Sequence, residues 1–251
     1  MTHILVTRPL EASQQLADQL VALGFSTVVM PLYTFAARQP ANDIESVLSV
    51  KNRRKLTVFT SPRAVQFGLP FLPPKNRLDE LEIAVVGSAT RAALQDSGYP
   101  VHIQARAGFT SEDLLQSPEL HNDPGVAVIF CAPGGRTALE DGLDSLGWKT
   151  TIAMVYDRVP LKPDSTQVDL LRNAEDLVST WTSISSLKLA EKHLPADVWV
   201  KILGSPALVI STRIQRYLVK LGATRVELAG GPGNAELLQS LLRLTGQIPE
   251  G

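Results

Sequence analysis

Cysteine occurs once, at Cys131, within an apolar run. A lone cysteine excludes a disulfide framework and fits a reducing compartment. Its position suits a buried strand thiol better than a nucleophile. Histidine is also sparse, and His3, His102, His121 and His193 are scattered without the spacing of a ligand set, so no metal is expected. Neither sign of charge is in excess: 24 basic residues face 25 acidic ones, a net charge of −1. No global field draws in nucleic acid or an anionic membrane, and any anionic ligand must be met by local placement. No apolar run approaches the roughly 20 residues of a membrane span. The first residues enter a strand pattern directly, without a basic region followed by an apolar one. These features together lead us to expect a cytoplasmic protein. Also missing are a G-x-x-x-x-G-K-[ST] loop, a G-x-G-x-x-G turn after a strand, a nucleophile elbow and a Cys/His pair. Gly230-Gly231-Pro232-Gly233 reads as a turn, because Pro232 removes a donor. What remains is a reaction without cofactor or metal, or simple binding.

What the chain does have is a long internal repeat. His3-Ile4-Leu5-Val6-Thr7-Arg8-Pro9 returns as Ala127-Val128-Ile129-Phe130-Cys131-Ala132-Pro133, Leu23-Gly24-Phe25 as Leu146-Gly147-Trp148, and Asp113-Leu114-Leu115-Gln116-Ser117 as Glu236-Leu237-Leu238-Gln239-Ser240. The offset stays between 122 and 124 residues throughout. Solenoid units run roughly 20–50 residues, so this repeat implies two similar domains and a ligand cleft between them. A length of 251 residues, 44% of them hydrophobic, suffices for two cores.

Short apolar runs alternate with helix-period stretches, the pattern of parallel α/β architecture. Strands are expected at Ile4–Val6, Val28–Met30, Thr57–Phe59, Ile83–Val86, Val101–Ile103, Val126–Phe130, Thr151–Val155, Leu177–Ser179, Leu208–Ile210 and Arg225–Leu228. Helices are expected at Glu11–Leu23 and Arg91–Ser97, among others. Gly24, Gly98, Gly147 and Gly222 each follow a helix, where a left-handed residue ends it cheaply. Two segments break the rhythm at equivalent places in the repeat, Leu32–Ala36 and Met154–Pro160. Read as crossings, they give one discontinuous domain, 1–34 with 160–251, around a continuous one, 35–159. A single cut at residue 125 is the simpler alternative.

The apolar runs end alike: Thr7-Arg8-Pro9, Thr60-Ser61-Pro62-Arg63, Gly87-Ser88-Ala89-Thr90-Arg91, Ala132-Pro133-Gly134-Gly135-Arg136, Thr182-Ser183 and Ser211-Thr212-Arg213. Ligands of open parallel sheets lie beyond the carboxyl ends of strands, where hydroxyls, free N–H groups and helix dipoles receive anions. Arginine adds a planar fork for carboxylate or phosphate. Each hydroxyl also has a plainer role as a helix N-cap, and each arginine as solvated surface; their recurrence favours function. Tyr156, at the second crossing, has a phenol able to donate a proton, or merely a ring to pack in a linker. Tyr33 is its repeat counterpart.

Several of these segments together resemble uroporphyrinogen-III synthases: Ile4-Leu5-Val6-Thr7-Arg8-Pro9, Val58-Phe59-Thr60-Ser61-Pro62-Arg63-Ala64-Val65, Val85-Val86-Gly87-Ser88-Ala89-Thr90, Val155-Tyr156 and Thr182-Ser183, in order along the whole chain. The resemblance implies two flavodoxin-like parallel-sheet domains joined by a two-stranded connector, the first domain discontinuous. It implies closure of hydroxymethylbilane, a linear tetrapyrrole with eight carboxylates, to uroporphyrinogen III with its last ring inverted and water lost, and no cofactor. It assigns Tyr156 as the catalytic residue and Ser61, Thr90 and Ser183 as hydroxyls around the substrate. To these we add Arg8, Arg63, Ser88 and Arg136 as substrate-binding candidates. At the second-half counterpart of Gly87–Thr90 the chain departs from the pattern, and Thr212 is the shifted choice. A monomer with transient contact to the enzyme that makes hydroxymethylbilane is expected. A two-domain anion-binding or sensor protein is the rival reading.

Overall fold

The computed structural model describes residues 1–74, 80–105, 110–134 and 138–247. Arg136 lies outside them. The chain opens with β1 (Thr2–Val6), α1 (Leu10–Ala22), β2 (Ser26–Val29) and β3 (Tyr33–Ala37). Then come α2 (Ile44–Leu48), β4 (Lys55–Phe59), α3 (Pro62–Gly68), β5 (Leu81–Val85), α4 (Ser88–Asp96), β6 (Ile103–Gln104), α5 (Ser111–Leu115), β7 (Val126–Cys131), α6 (Ala138–Ser145), β8 (Lys149–Met154) and β9 (Tyr156–Pro160). The last stretch is α7 (Ser165–Asn173), β10 (Asp176–Trp181), α8 (Ile184–His193), α9 (Ala196–Gly204), β11 (Ala207–Val209), α10 (Thr212–Lys220), β12 (Val226–Leu228) and α11 (Asn234–Leu244). Two compact units result, one of Met1–Thr34 with Val159–Gly251 and one of Phe35–Arg158. The chain passes between them in β3 and β9, which pair with each other.

The first unit holds a five-stranded sheet in the order β12-β11-β10-β1-β2, every pairing parallel. The second holds one in the order β6-β5-β4-β7-β8, again parallel. The two orders are equivalent under the repeat, but each copy of the repeat divides its strands between sheets. The first copy gives β1 and β2 to one unit and β4–β6 to the other; the second gives β7 and β8, then β10–β12, in the opposite sense. The central pairings, Ile4↔Val178 and Thr57↔Val128, therefore join the two copies. A cut at residue 125 would run through both sheets.

Strand alternation builds a core on each sheet face. Along β1, Ile4 and Val6 pack with Leu16, Leu20, Leu237 and Leu241, while Leu5 faces Trp181, Trp199 and Ile202. Along β4, Leu56 and Val58 pack with Leu143 and Trp148, while Phe59 stacks on Phe130 at 4.8 Å. Gly24, Gly98, Gly147 and Gly222 all have positive φ, and each ends a helix as a residue with a Cβ could do only under strain. The expected strand at 101–103 is shorter, Ile103–Gln104, as suits an edge. The helix expected at Arg91 begins three residues earlier, at Ser88, because Gly87 supplies its N-cap.

Candidate functional site

A parallel sheet whose strand order reverses leaves a crevice beyond the strand ends at the reversal, since the loops there leave in opposite directions. In the second unit the reversal falls between β7 and β4. A cavity of about 590 Å³ lies at that point, lined by Thr60 and Ser61 after β4, Cys131 at the end of β7 with Ala132–Gly134 after it, Ser111, Glu140, and Tyr156–Arg158 of β9.

Tyr156 is the best-defined group in that wall. Its side chain is only 6% exposed. Phe35 meets the ring edge-on and Phe67 lies nearly parallel to it, both with centroids 5.6 Å away. These contacts fix the ring, and they leave the hydroxyl at the cavity. There it lies 3.1 Å from the Ser61 Oγ. Ser61 is held in turn: its extended backbone makes it the N-cap of α3, and its Oγ accepts the Ala64 N–H at 3.1 Å. The serine thus does the work of a cap and also touches the phenol.

The other candidates fall into distinct settings. Arg63, one helical step on, places its guanidinium 4.9 Å from the Phe35 ring centroid and donates to Gln66 Oε1 at 2.5 Å. Ser88 is the exposed first residue of α4, and Thr90, two residues later, is buried. Ser183 caps α8 as Ser61 caps α3, accepting the Ser186 N–H at 3.1 Å. Ser211 caps α10 at the place Gly87 holds in α4. A constant offset of 124 therefore aligns Thr212 with Ser88, and Ile214 stands where Thr90 does. Thr212 is exposed.

Arg8 follows β1 at the reversal of the first sheet. It is half-buried and donates to the Asn234 Oδ1 at the start of α11. Burial pulls its proton affinity down, and the nearby Tyr33 opposes that. In the second unit, burial pushes the Cys131 thiol up, and the charge of Glu140 adds to the effect. Both causes disfavour the thiolate.

Phe35 and Phe67 were not legible as the residues that pack on Tyr156. Phe67 approaches Tyr156 from a helix 89 positions away, a contact no local pattern encodes. Asn234 could have been found, because the repeat aligns it with Ser111 of the cavity wall.

Comparison with known proteins gives a uniform result. The profile of the family described as uroporphyrinogen-III synthase HemD matches residues 14–239. The uroporphyrinogen-III synthase of Escherichia coli is 27% identical over 245 residues, covering 95% of this chain and 99% of its own. That of Salmonella typhimurium is 28% identical over the same shares. Among solved structures, uroporphyrinogen-III synthetase from Helicobacter pylori superposes with a TM-score of 0.64 at 19% identity, over 97% of this chain and 100% of that one. A mutant of the Thermus thermophilus uroporphyrinogen III synthase gives 0.59 at 16%, over 99% and 100%. These two likenesses establish the fold. The profile spans most of the sequence, and the chain belongs to the uroporphyrinogen-III synthase family.

Proposed function

We propose that this protein closes hydroxymethylbilane to uroporphyrinogen III, inverting the last pyrrole ring and releasing water, in tetrapyrrole biosynthesis. The observation that carries the reading is the Tyr156–Ser61 pair on the wall of a cavity of about 590 Å³, in a chain of this family. The substrate is a linear tetrapyrrole with eight carboxylates. Its terminal pyrrole nitrogen pushes out the hydroxyl of the hydroxymethyl group, and the Tyr156 O–H supplies the proton that makes the leaving group water. The azafulvene carbon then bonds to the substituted carbon of the last ring, giving a spiro intermediate that rearranges with that ring inverted. The proton lost as the ring regains aromaticity restores the phenol. Selection of this route over direct closure is a matter of transition-state binding and proximity.

Arg8, Ser61, Arg63, Ser88, Thr90, Arg136, Ser183 and Thr212 are the residues we assign to the substrate, Arg63 among them lying on the Phe35 ring that also meets Tyr156. Replacing Arg63 with Ala should raise KM more than it lowers kcat, by the roughly 1.5–3 kcal/mol of a charge-assisted hydrogen bond. Unchanged steady-state kinetics would return Arg63 to packing on Phe35. We also assign the protein to the cytoplasm as a monomer that meets the enzyme producing hydroxymethylbilane only transiently. Among the described residues no helix is long and apolar enough to cross a membrane.

The function is tested by adding the protein to freshly generated hydroxymethylbilane and resolving the isomers formed. Isomer III should predominate over the isomer I of spontaneous closure. A product ratio equal to the spontaneous one, with binding retained, would instead describe a sensor.

A further inference from the structure

The two units have equivalent sheets, so equivalent positions at the two reversals can be compared directly. β7 of the second unit ends at Cys131 and is followed by Ala132 and Pro133; at the equivalent positions of the first unit, after β1, stand Thr7, Arg8 and Pro9. Ser111 and Asn234 are both the first residue of the helix that faces these loops, and Tyr156 and Tyr33 are both buried on the crossing strands. In the second unit the short side chains of Ala132 and Ser111 leave the cavity of about 590 Å³ open. In the first, a guanidinium occupies the corresponding position and reaches Asn234. One reversal offers space and a phenol, the other a fixed cation.

The setting of that cation is unusual. Guanidinium groups taken half out of water are normally paired with a carboxylate, since partial desolvation without a counter-charge is costly. Among the described residues no carboxylate lies within ion-pair distance of Arg8, and its side-chain partner is a neutral amide oxygen. Asn234 satisfies one donor and steers the group without neutralising it. A guanidinium has five donors, and among the described residues Asn234 takes one of them, which leaves most of the fork for another acceptor. The group also stands at the start of α11, an eleven-residue helix whose N-terminal dipole favours negative charge. Burial already draws Arg8 downward, a penalty that an incoming anion would relieve.

We propose that Arg8, oriented by Asn234, is a preformed receptor for one carboxylate of the substrate. This rests on the proposed polycarboxylate substrate. It assigns Asn234 as a positioning residue, since that residue acts through Arg8.

The test uses the intact protein with Arg8→Gln and Arg8→Lys. KM for hydroxymethylbilane and Kd for uroporphyrin III, read by tryptophan fluorescence, are measured beside the thermal midpoint. Arg8→Gln should raise both constants about tenfold or more, with kcat within about threefold and an unchanged midpoint. Arg8→Lys should fall between, because a point charge keeps the attraction and loses the fork. Unchanged constants in Arg8→Gln would overturn the receptor. So would equal losses in both variants accompanied by a lower midpoint, which would make Arg8 a strut for α11. A wild-type protein yielding only isomer I defeats the proposed function instead, and Arg8-dependent uroporphyrin III binding in that protein would leave the receptor standing.

Discussion

Tyr156→Phe is expected to slow ring closure about a hundredfold while leaving the protein folded. The size follows from the role: general-acid assistance is worth about 10²–10⁴-fold, and the lower end applies because the pyrrole nitrogen itself drives departure of the hydroxyl. Folding should survive because the ring, and not the hydroxyl, makes the packing contacts with Phe35 and Phe67. Phenylalanine keeps both. The variant forfeits the 3.1 Å contact to Ser61, but the serine retains the Ala64 N–H and its place as cap, so the stability cost is about 1 kcal/mol. Isomer choice should change less than rate, since the proposed function gives orientation of the last ring to residues that hold carboxylates and not to the phenol. The assay measures rate and the ratio of isomers III to I after subtracting spontaneous closure. A normal rate would reduce Tyr156 to packing, and a normal rate with mostly isomer I would make it a positioning residue.

The phenol shows where sequence reasoning stops. Its place at a crossing followed from the broken rhythm at Met154–Pro160, and β9 does begin at Tyr156. Its partner did not follow, because Ser61 is 95 positions distant and the pairing arises only when β4 and β9 lie in one unit. The strand ends were legible for a related reason. Ser61, Ser183 and Ser211 stand at strand-to-helix turns, where short hydroxyl residues are favoured as caps irrespective of function. That same chemistry made them look equivalent, and only the packed structure separates a serine touching a phenol from one touching Ser186. The repeat gave the equivalence of the two sheets, yet a constant offset is silent about which strands share a sheet. Long-range pairings such as β1 with β10 carry that information, and no short pattern specifies them.

Gly125→Ala should destabilise the second unit by about 3 kcal/mol, at the upper end of what overpacking usually costs. Gly125 immediately precedes β7, and a Cβ built there would lie 2.0 Å from the carbonyl oxygen of Arg54, with the Arg54 carbonyl carbon and nitrogen at 2.8 and 2.9 Å. The obstacle is backbone, so no rotamer change relieves it. Nor can Arg54 step aside: its guanidinium donates twice to Glu82 at 2.6 Å and to the Glu119 and Asn122 carbonyls at 2.7 and 2.6 Å, and its own carbonyl accepts the Val126 N–H at 2.9 Å. Moving it would disturb the adjoining Lys55↔Val126 pair of the central strands. Gly142→Ala provides the contrast. Its Cβ would come within 2.2 Å of a Leu115 methyl, the end of a side chain that can rotate, and alanine favours the helix by about 1 kcal/mol. Gly142→Ala should therefore be much milder. Calorimetry or denaturant melts of both variants, followed alongside ring-closing activity, supply the measurement. Because Tyr156 and its cavity belong to the second unit, activity in Gly125→Ala should disappear at a lower temperature than in the parent protein. Equal midpoints for Gly125→Ala and the parent would show that Arg54 and β7 separate freely, contrary to the hydrogen bonds that hold them.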